Sequence, residues 1–224
     1  MDDLKIVFES EDLLILSKKS GILVHRGYAN DPITYVDLVR EHGFVPRPLH
    51  RLDRQTSGIL MFAKTKIAAS EIGRLFEEKK IHKTYIALVR GIPPIEGEID
   101  HPIPKAEKAE RVPAHSTFER IASVDIQPRS LSLVKVFPTT GKFHQVRRHM
   151  KHIHHPLIGD ANYGKGKLNR EIRERYGLNR LALHALSVSF DWRERSYTFQ
   201  ENLPESLTLP FHKMGFDLDD PSIT

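Results

Sequence analysis

His50-Arg51-Leu52-Asp53-Arg54-Gln55-Thr56-Ser57-Gly58 runs directly into Ile59-Leu60-Met61-Phe62-Ala63. The second stretch is a continuous apolar run of strand length, which predicts a strand buried on both faces. Pro46 and Pro48 precede the first stretch and forbid a helix there, so residues 43 to 57 read as loop or extended chain. A buried strand anchors the charged loop at a sheet edge. Arg51 and Arg54 on either side of Asp53 favour its ionised form and keep it available as a nucleophile or base. A turn aspartate in a surface loop fits the same residues, and the physics of the loop alone leaves both readings open.

Outward from this segment, strands and helices are mixed without a repeat or a low-complexity linker. Lys5–Glu9 and residues 12 to 16 read as two short strands, and Gly21 marks a bend after Lys18-Lys19-Ser20. Residues 34 to 42 have helical spacing through Tyr35, Leu38 and Val39. Residues 67 to 80 form the clearest helix, with Ala68, Ile72, Leu75 and Phe76 on one side. A strand over 84 to 89 stops at Gly91. Residues 92 to 113, with prolines at 93, 94, 102, 104 and 113, read as a long excursion carrying one short strand. Strands over 116 to 121 and 131 to 137 pair across a polar turn, and a helix follows Gly141 over 144 to 152. Two more strands, 181 to 190 and 196 to 199, flank a turn at 191 to 195, and a short helix is expected near 207 to 214. Many strands joined by short turns predict an α+β fold, a mixed but largely antiparallel sheet flanked by helices and loops. One domain over residues 1 to 224 is expected.

The chain has 224 residues, 39% of them hydrophobic, enough to build a globular core. No apolar run approaches the length of a membrane span. Met1-Asp2-Asp3-Leu4-Lys5 lacks the basic-then-apolar layout of a signal peptide. The absence of cysteine excludes disulfides, thiolate nucleophiles and zinc–thiolate sites, and fits the reducing cytoplasm expected as its location. The net charge of +5 is concentrated. Residues 142 to 151, KFHQVRRHMK, hold four cations and no acid, and a second basic stretch over 163 to 180 includes Lys165, Lys167, Arg170, Arg173, Arg175 and Arg180. Such clusters suit a polyanion, because each phosphate contact releases condensed counterions. A solvated basic face is the alternative that charge alone leaves standing.

HRLDRQTSGILMFAK resembles the active-site motif of the RluA/TruC-type pseudouridine synthase family, whose members modify ribosomal and transfer RNA. The resemblance implies that Asp53 is the catalytic residue and that Arg51 occupies the space left by a flipped base. Lys83-Thr84-Tyr85-Ile86-Ala87-Leu88-Val89-Arg90-Gly91 is similar to the family's K-x-Y-x-A-x-V-x-G strand, which implies that Tyr85 packs against the target base. Thr140-Gly141-Lys142-Phe143-His144-Gln145-Val146-Arg147-Arg148-His149 resembles the T-G-R-x-H-Q-I-R-x-H segment, whose arginine, here Arg147, pairs with the catalytic aspartate. Two further blocks follow in family order, His155-Pro156-Leu157-Ile158-Gly159-Asp160 through Tyr163-Gly164, and Leu181-Ala182-Leu183-His184-Ala185. The likeness runs from about residue 6 to 200. Two departures stand out: Lys18-Lys19-Ser20-Gly21 lacks the proline of the family's K-P-x-G, and Lys142 stands where arginine is commoner. No S4-like RNA-binding domain is expected ahead of the first strand.

The residue types suit the implied reaction. Pseudouridine formation breaks the N1–C1′ bond, turns the uracil and forms C5–C1′, so the base must leave its stack and something must fill the gap. Tyr85 offers a flat face and a hydroxyl, although an ordinary strand aromatic fits as well. Arg147 can pair with Asp53 and keep it ionised. Arg51, Arg54, Lys142, His144, Arg148, Lys165 and Arg173 are the expected RNA contacts. His50, Gly58, Gly141, Gln145, Gly159, Asp160 and His184 are expected to shape the motifs. No cofactor is implied, since the reaction is redox-neutral and needs no metal.

The sequence offers two other classes. His144, His149, His152, His154 and His155 crowd twelve positions, but there is no H-E-x-x-H and no carboxylate among them to complete a metal site. A non-catalytic RNA-binding module would use the basic stretches with Phe143 and Tyr163 as stacking groups. The segment Glu171-Ile172-Arg173-Glu174-Arg175-Tyr176-Gly177-Leu178-Asn179-Arg180 and the doubled Arg147-Arg148 look like the TruC subgroup, which acts on transfer RNA. Transfer RNA is therefore the expected partner of a monomeric enzyme, with 23S ribosomal RNA as the alternative.

Overall fold

Ser57–Ala63 is buried at every position, as the unbroken apolar run requires. The computed structural model describes residues 4–26, 33–105, 110–127, 129–220 and 223. The acidic start at residues 1–3 and the stretch 106–109 within the proline-rich excursion lie outside the described residues. In chain order the first elements are β1 (Lys5–Glu9), β2 (Leu13–Lys18), α1 (Tyr35–Glu41), β3 (Arg47–Pro48), β4 (Ser57–Ala63), α2 (Lys66–Glu77) and β5 (His82–Arg90). Then come β6 (Glu96–Asp100), β7 (Ile103–Pro104), β8 (Arg111–Val112), β9 (His115–Ile126) and β10 (Arg129–Pro138). The last are α3 (Gln145–His152), α4 (Gly166–Tyr176), β11 (Leu183–Trp192), β12 (Arg195–Gln200) and α5 (Glu205–Met214). Every ladder whose register is described is antiparallel, so the α+β expectation holds.

The chain divides into two compact units, Met1–His82 with Ala185–Glu201, and Lys83–His184 with Asn202–Thr224. In the first, strands run in the order β1-β2-β4-β11, with β3 on β4 and β12 on β11. Leu13 and Ile15 of β2, Ile59, Met61 and Ala63 of β4, and Val188, Phe190 and Trp192 of β11 share one face and meet Ala68 and Ile72 of α2. Thr65 caps α2 by accepting from the Ala68 amide. Gly58 opens β4 at φ +113°, and a Cβ there would run into the Ala185 backbone. This close approach is what a glycine in a strand permits.

The second unit orders its strands β5-β10-β9-β6. Ala87, Val89, Phe118, Val134 and Val136 from the sheet pack with Val146 and Met150 of α3 and with Leu157. The 144 to 152 helix is thus present as α3, with its apolar side on the sheet.

Three features depart from the sequence reading. The excursion after Gly91 holds β6, β7 and β8 rather than one strand, because β6 adds to the edge of β9 while burying only Ile99. β7 and β8 form a two-residue ladder, short enough to tolerate Pro104. Helix α4 lay unseen in the basic stretch because only Leu168 and Ile172 are fully buried on it, too few apolar positions to mark a helical face. The turn at 191 to 195 tightens to Arg193-Glu194, both at positive φ, as a two-residue hairpin turn demands.

Replacing Gly58 by alanine adds both a left-handed backbone penalty and a clash with a neighbouring strand. We expect Gly58→Ala to cost ~3 kcal/mol or more in urea unfolding followed by circular dichroism. Wild-type stability in that experiment would refute the close approach.

Candidate active site

The loop carrying Asp53 is fixed by a buried lysine. Lys18, at the end of β2, is 1% exposed. Its ammonium donates to the carbonyls of Lys19 at 2.9 Å, Arg54 at 3.0 Å and Thr56 at 2.8 Å. The Gly21 amide donates to the same Arg54 carbonyl, and Ser20 Oγ donates to the Gln55 carbonyl. Tyr35 of α1 accepts from the Lys19 amide at 2.7 Å, pinning the turn from its far side. Within the loop the Thr56 amide donates to the Asp53 carbonyl at 3.0 Å. His50 Nε2 accepts from the Met61 amide at 3.1 Å and so joins the other end of the loop to β4. The half-buried Asp53 therefore sits on a backbone held at both ends, with Arg51 and Arg54 exposed beside it. Burial and the Arg51 guanidinium hold His25 below its ordinary value, so its imidazole is neutral at pH 7.

In the second unit α3 carries the cationic residues. Arg147 is buried, and its Nε and Nη2 donate to the two oxygens of Asp160 at 2.7 and 2.9 Å. Asp160, 1% exposed, also accepts from the amides of Asn162 and Tyr163. Burial works against this carboxylate. The hydrogen bonds and charge of Arg147 and the two amides outweigh it and hold Asp160 below the usual carboxylate range. This bidentate pair fixes the plane of the Arg147 guanidinium. The guanidinium carbon lies 5.1 Å from the Tyr163 ring.

The surrounding motif residues lock α3 in place. Gln145 Nε2 donates to the His115 carbonyl and to Ser116 Oγ, while its Oε1 accepts from Thr140 Oγ1 and the Lys142 amide. His144 takes a left-handed conformation, stacks on Phe143 at 3.7 Å and meets Tyr163 Oη at 3.1 Å. Lys83 of β5 donates to the Thr140 carbonyl at 3.0 Å, and burial pushes its ammonium down to about 8. Tyr85 lies on the same strand face as Lys83 and is half-buried against the Ala87–Val89 cluster. At Gly159 a Cβ would collide with the Arg180 carbonyl, and Asn169 of α4 bonds both the Gly159 amide and the Asp160 carbonyl. His184 is buried; Gly141 and Lys142 are exposed, as are Lys165 and Arg173 at the two ends of α4. Two of the clustered histidines have structural partners here: His149 bridges Ser116 Oγ and the His101 carbonyl, and His155 meets the Arg90 carbonyl.

Each unit thus presents one ordered polar loop system, one around Asp53 and one around Arg147. Residues 12–152 match the family described as RNA pseudouridylate synthase. The chain belongs to this family. A tRNA pseudouridine synthase C of Haemophilus ducreyi is 34% identical, over 97% of this chain and 98% of its own. A protein of the same name from Vibrio vulnificus is 36% identical over 88% of both chains. Among solved structures, human RNA pseudouridylate synthase domain containing 1 is similar at TM-score 0.77 and 26% identity, covering 93% of this chain and 88% of its own. No helix among the described residues of this RNA pseudouridylate synthase is long and apolar enough to cross a membrane.

Sequence reasoning missed two anchoring residues of this synthase. Lys18 carried a signal: it ends an apolar strand, just ahead of a turn glycine. Asn169 carried none, because an asparagine among charges reads as solvated. The Asp160–Arg147 pair generates a test. The folded-state shift of Asp160 is downward, so its stabilisation is present above the ordinary carboxylate value and is lost as pH falls through the lower folded value. Asp160→Asn should destabilise the protein by about 3–5 kcal/mol at pH 7 by leaving the buried guanidinium short of its partner. The gap to wild type should narrow below pH ~4, measured by urea unfolding. A gap that is small at pH 7, or that does not narrow, would contradict this.

Proposed function

We propose that the chain converts a uridine of transfer RNA to pseudouridine, with Asp53 as the catalytic carboxylate. The observation that carries the choice of RNA is the pair of relatives named tRNA pseudouridine synthase C, matched along almost the whole of both chains. In the isomerisation the N1–C1′ bond breaks, the uracil turns and C5 bonds to C1′. C5 then gives up its proton and N1 gains one, so oxidation state is unchanged and no cofactor is called for.

In this reading the extruded base lies against Tyr85 and Arg51 fills the gap it leaves. Arg147 pairs with the Asp53 carboxylate, which a guanidinium already held in one plane by Asp160 can do without reorganising. Arg54, Lys142, His144, Arg148, Lys165 and Arg173 contact the RNA. Lys18 supports the reading because a carboxylate that must meet one position of the sugar needs a loop that does not wander. The proposal takes the chain as one catalytic domain, acting in the cytoplasm as a monomer.

Asp53→Asn keeps the shape of the side chain and removes its charge. It should abolish tritium release from RNA labelled at uracil C5 while leaving RNA affinity within about threefold of wild type. Wild-type protein should act on transfer RNA and not on 23S ribosomal RNA. Tritium release by Asp53→Asn at the wild-type rate would overturn the catalytic assignment, and activity confined to ribosomal RNA would overturn the substrate.

A further inference from the structure

A cavity of about 360 Å³ opens between α3 and the β7–β8 hairpin, lined by His101, Arg111, Arg148, Lys151, His152 and Tyr163, with β7 as its apolar wall. Its volume is in the range of small-ligand pockets. No carboxylate lines it among the described residues. Among the described residues Arg111, Arg148 and Lys151 have no ion-pair partner, although three cations around one cavity repel one another. The protein holds them there through neutral groups. Arg148 Nε donates to Tyr163 Oη at 2.8 Å and its Nη1 to the Pro104 carbonyl at 3.2 Å. Arg111 Nη1 donates to the Pro102 carbonyl at 2.8 Å and approaches His101 Nε2 at 3.2 Å. Lys151 Nζ lies 5.6 Å from the Tyr163 ring.

The flat groups are equally organised. His101 stacks on His152 with centroids 3.6 Å apart and planes 13° from parallel. Burial, His152 and Arg111 together hold His101 below its ordinary value, so it offers a neutral face at pH 7. Cations for a phosphate and flat rings for a base are the two halves of nucleotide recognition.

We propose that this cavity receives one nucleotide of the substrate RNA other than the target uridine, its phosphate on Arg111, Arg148 and Lys151 and its base against the imidazole and phenol rings. The proposal rests on the reading of the chain as an RNA-modifying enzyme, and extends it to a second contact that registers the RNA.

RNA affinity is measured by fluorescence anisotropy across a salt series for wild type and for Arg111→Ala/Lys151→Ala, with Lys213→Ala at an exposed position of α5 as a control. The double variant should bind about tenfold more weakly, roughly 1.4 kcal/mol, and its log K against log salt slope should be shallower by about two contacts' worth. Lys213→Ala should match wild type. Lys151 makes no side-chain hydrogen bond among the described residues, so Lys151→Glu repeats the test without disturbing the hairpin. RNA substituted with 4-thiouridine should photocrosslink to the peptide carrying Tyr163 or to that carrying His152, in wild type and in Asp53→Asn alike. Unchanged affinity in the variants, or no crosslink to either peptide while wild type still isomerises uridine, sinks the cavity proposal and leaves the proposed function standing. Saturable binding of free uridine monophosphate with unaltered RNA affinity in the variants would assign the site to a free nucleotide and overturn it. Failure of wild type to bind RNA would overturn both.

Discussion

A lysine ammonium with almost no access to water cannot be left without acceptors, and Lys18 is in that position. Burying a charge costs several kcal/mol unless polar groups replace its hydration. Here the replacement is the carbonyls of Lys19, Arg54 and Thr56, two of which belong to the loop that carries Asp53. Any excursion of that loop withdraws acceptors from a buried charge. The loop is therefore rigid for an electrostatic reason, without a regular ladder of its own.

The second unit uses the inverse arrangement. There a buried carboxylate, Asp160, is the fixed point, and Arg147 is oriented by it. Asn169 ties α4 to the same loop, while Gln145 and Lys83 close the 139–142 turn onto the start of α3. The exposed side of α3 can then carry Arg148 and Lys151 at defined positions, facing the β7–β8 hairpin. A basic sequence becomes a shaped basic surface because its neighbours are immobilised by buried polar bonds.

What could be read from the sequence follows from how many residues share one physical signal. β4 was legible because five consecutive apolar residues admit little else, and α2 because four apolar positions recur at helical spacing. The ordered motifs pointed to the family and to Asp53, Tyr85 and Arg147. The helix α4 was illegible because two buried side chains do not make a stripe, and β6 because an edge strand buries only one residue. The role of Lys18 was hidden for another reason. Its place at the end of an apolar strand marks it for burial, but the Arg54 and Thr56 carbonyls that receive it come from another part of the chain. The cavity beside α3 unites residues some sixty positions apart, His101 with Tyr163, and pairing of that kind leaves no local trace.

The rigidity of the Asp53 loop is the claim on which the catalytic account turns, and native-state hydrogen exchange measures it directly. In wild type the amides of Gly21 and Thr56, which donate to Arg54 and Asp53, should exchange nearly as slowly as that of Leu60 within β4. In Lys18→Met their protection should collapse by at least ~100-fold, about 2.7 kcal/mol, while Leu60 remains protected. Fast exchange at Thr56 in wild type, or equal protection in the two proteins, would contradict the account.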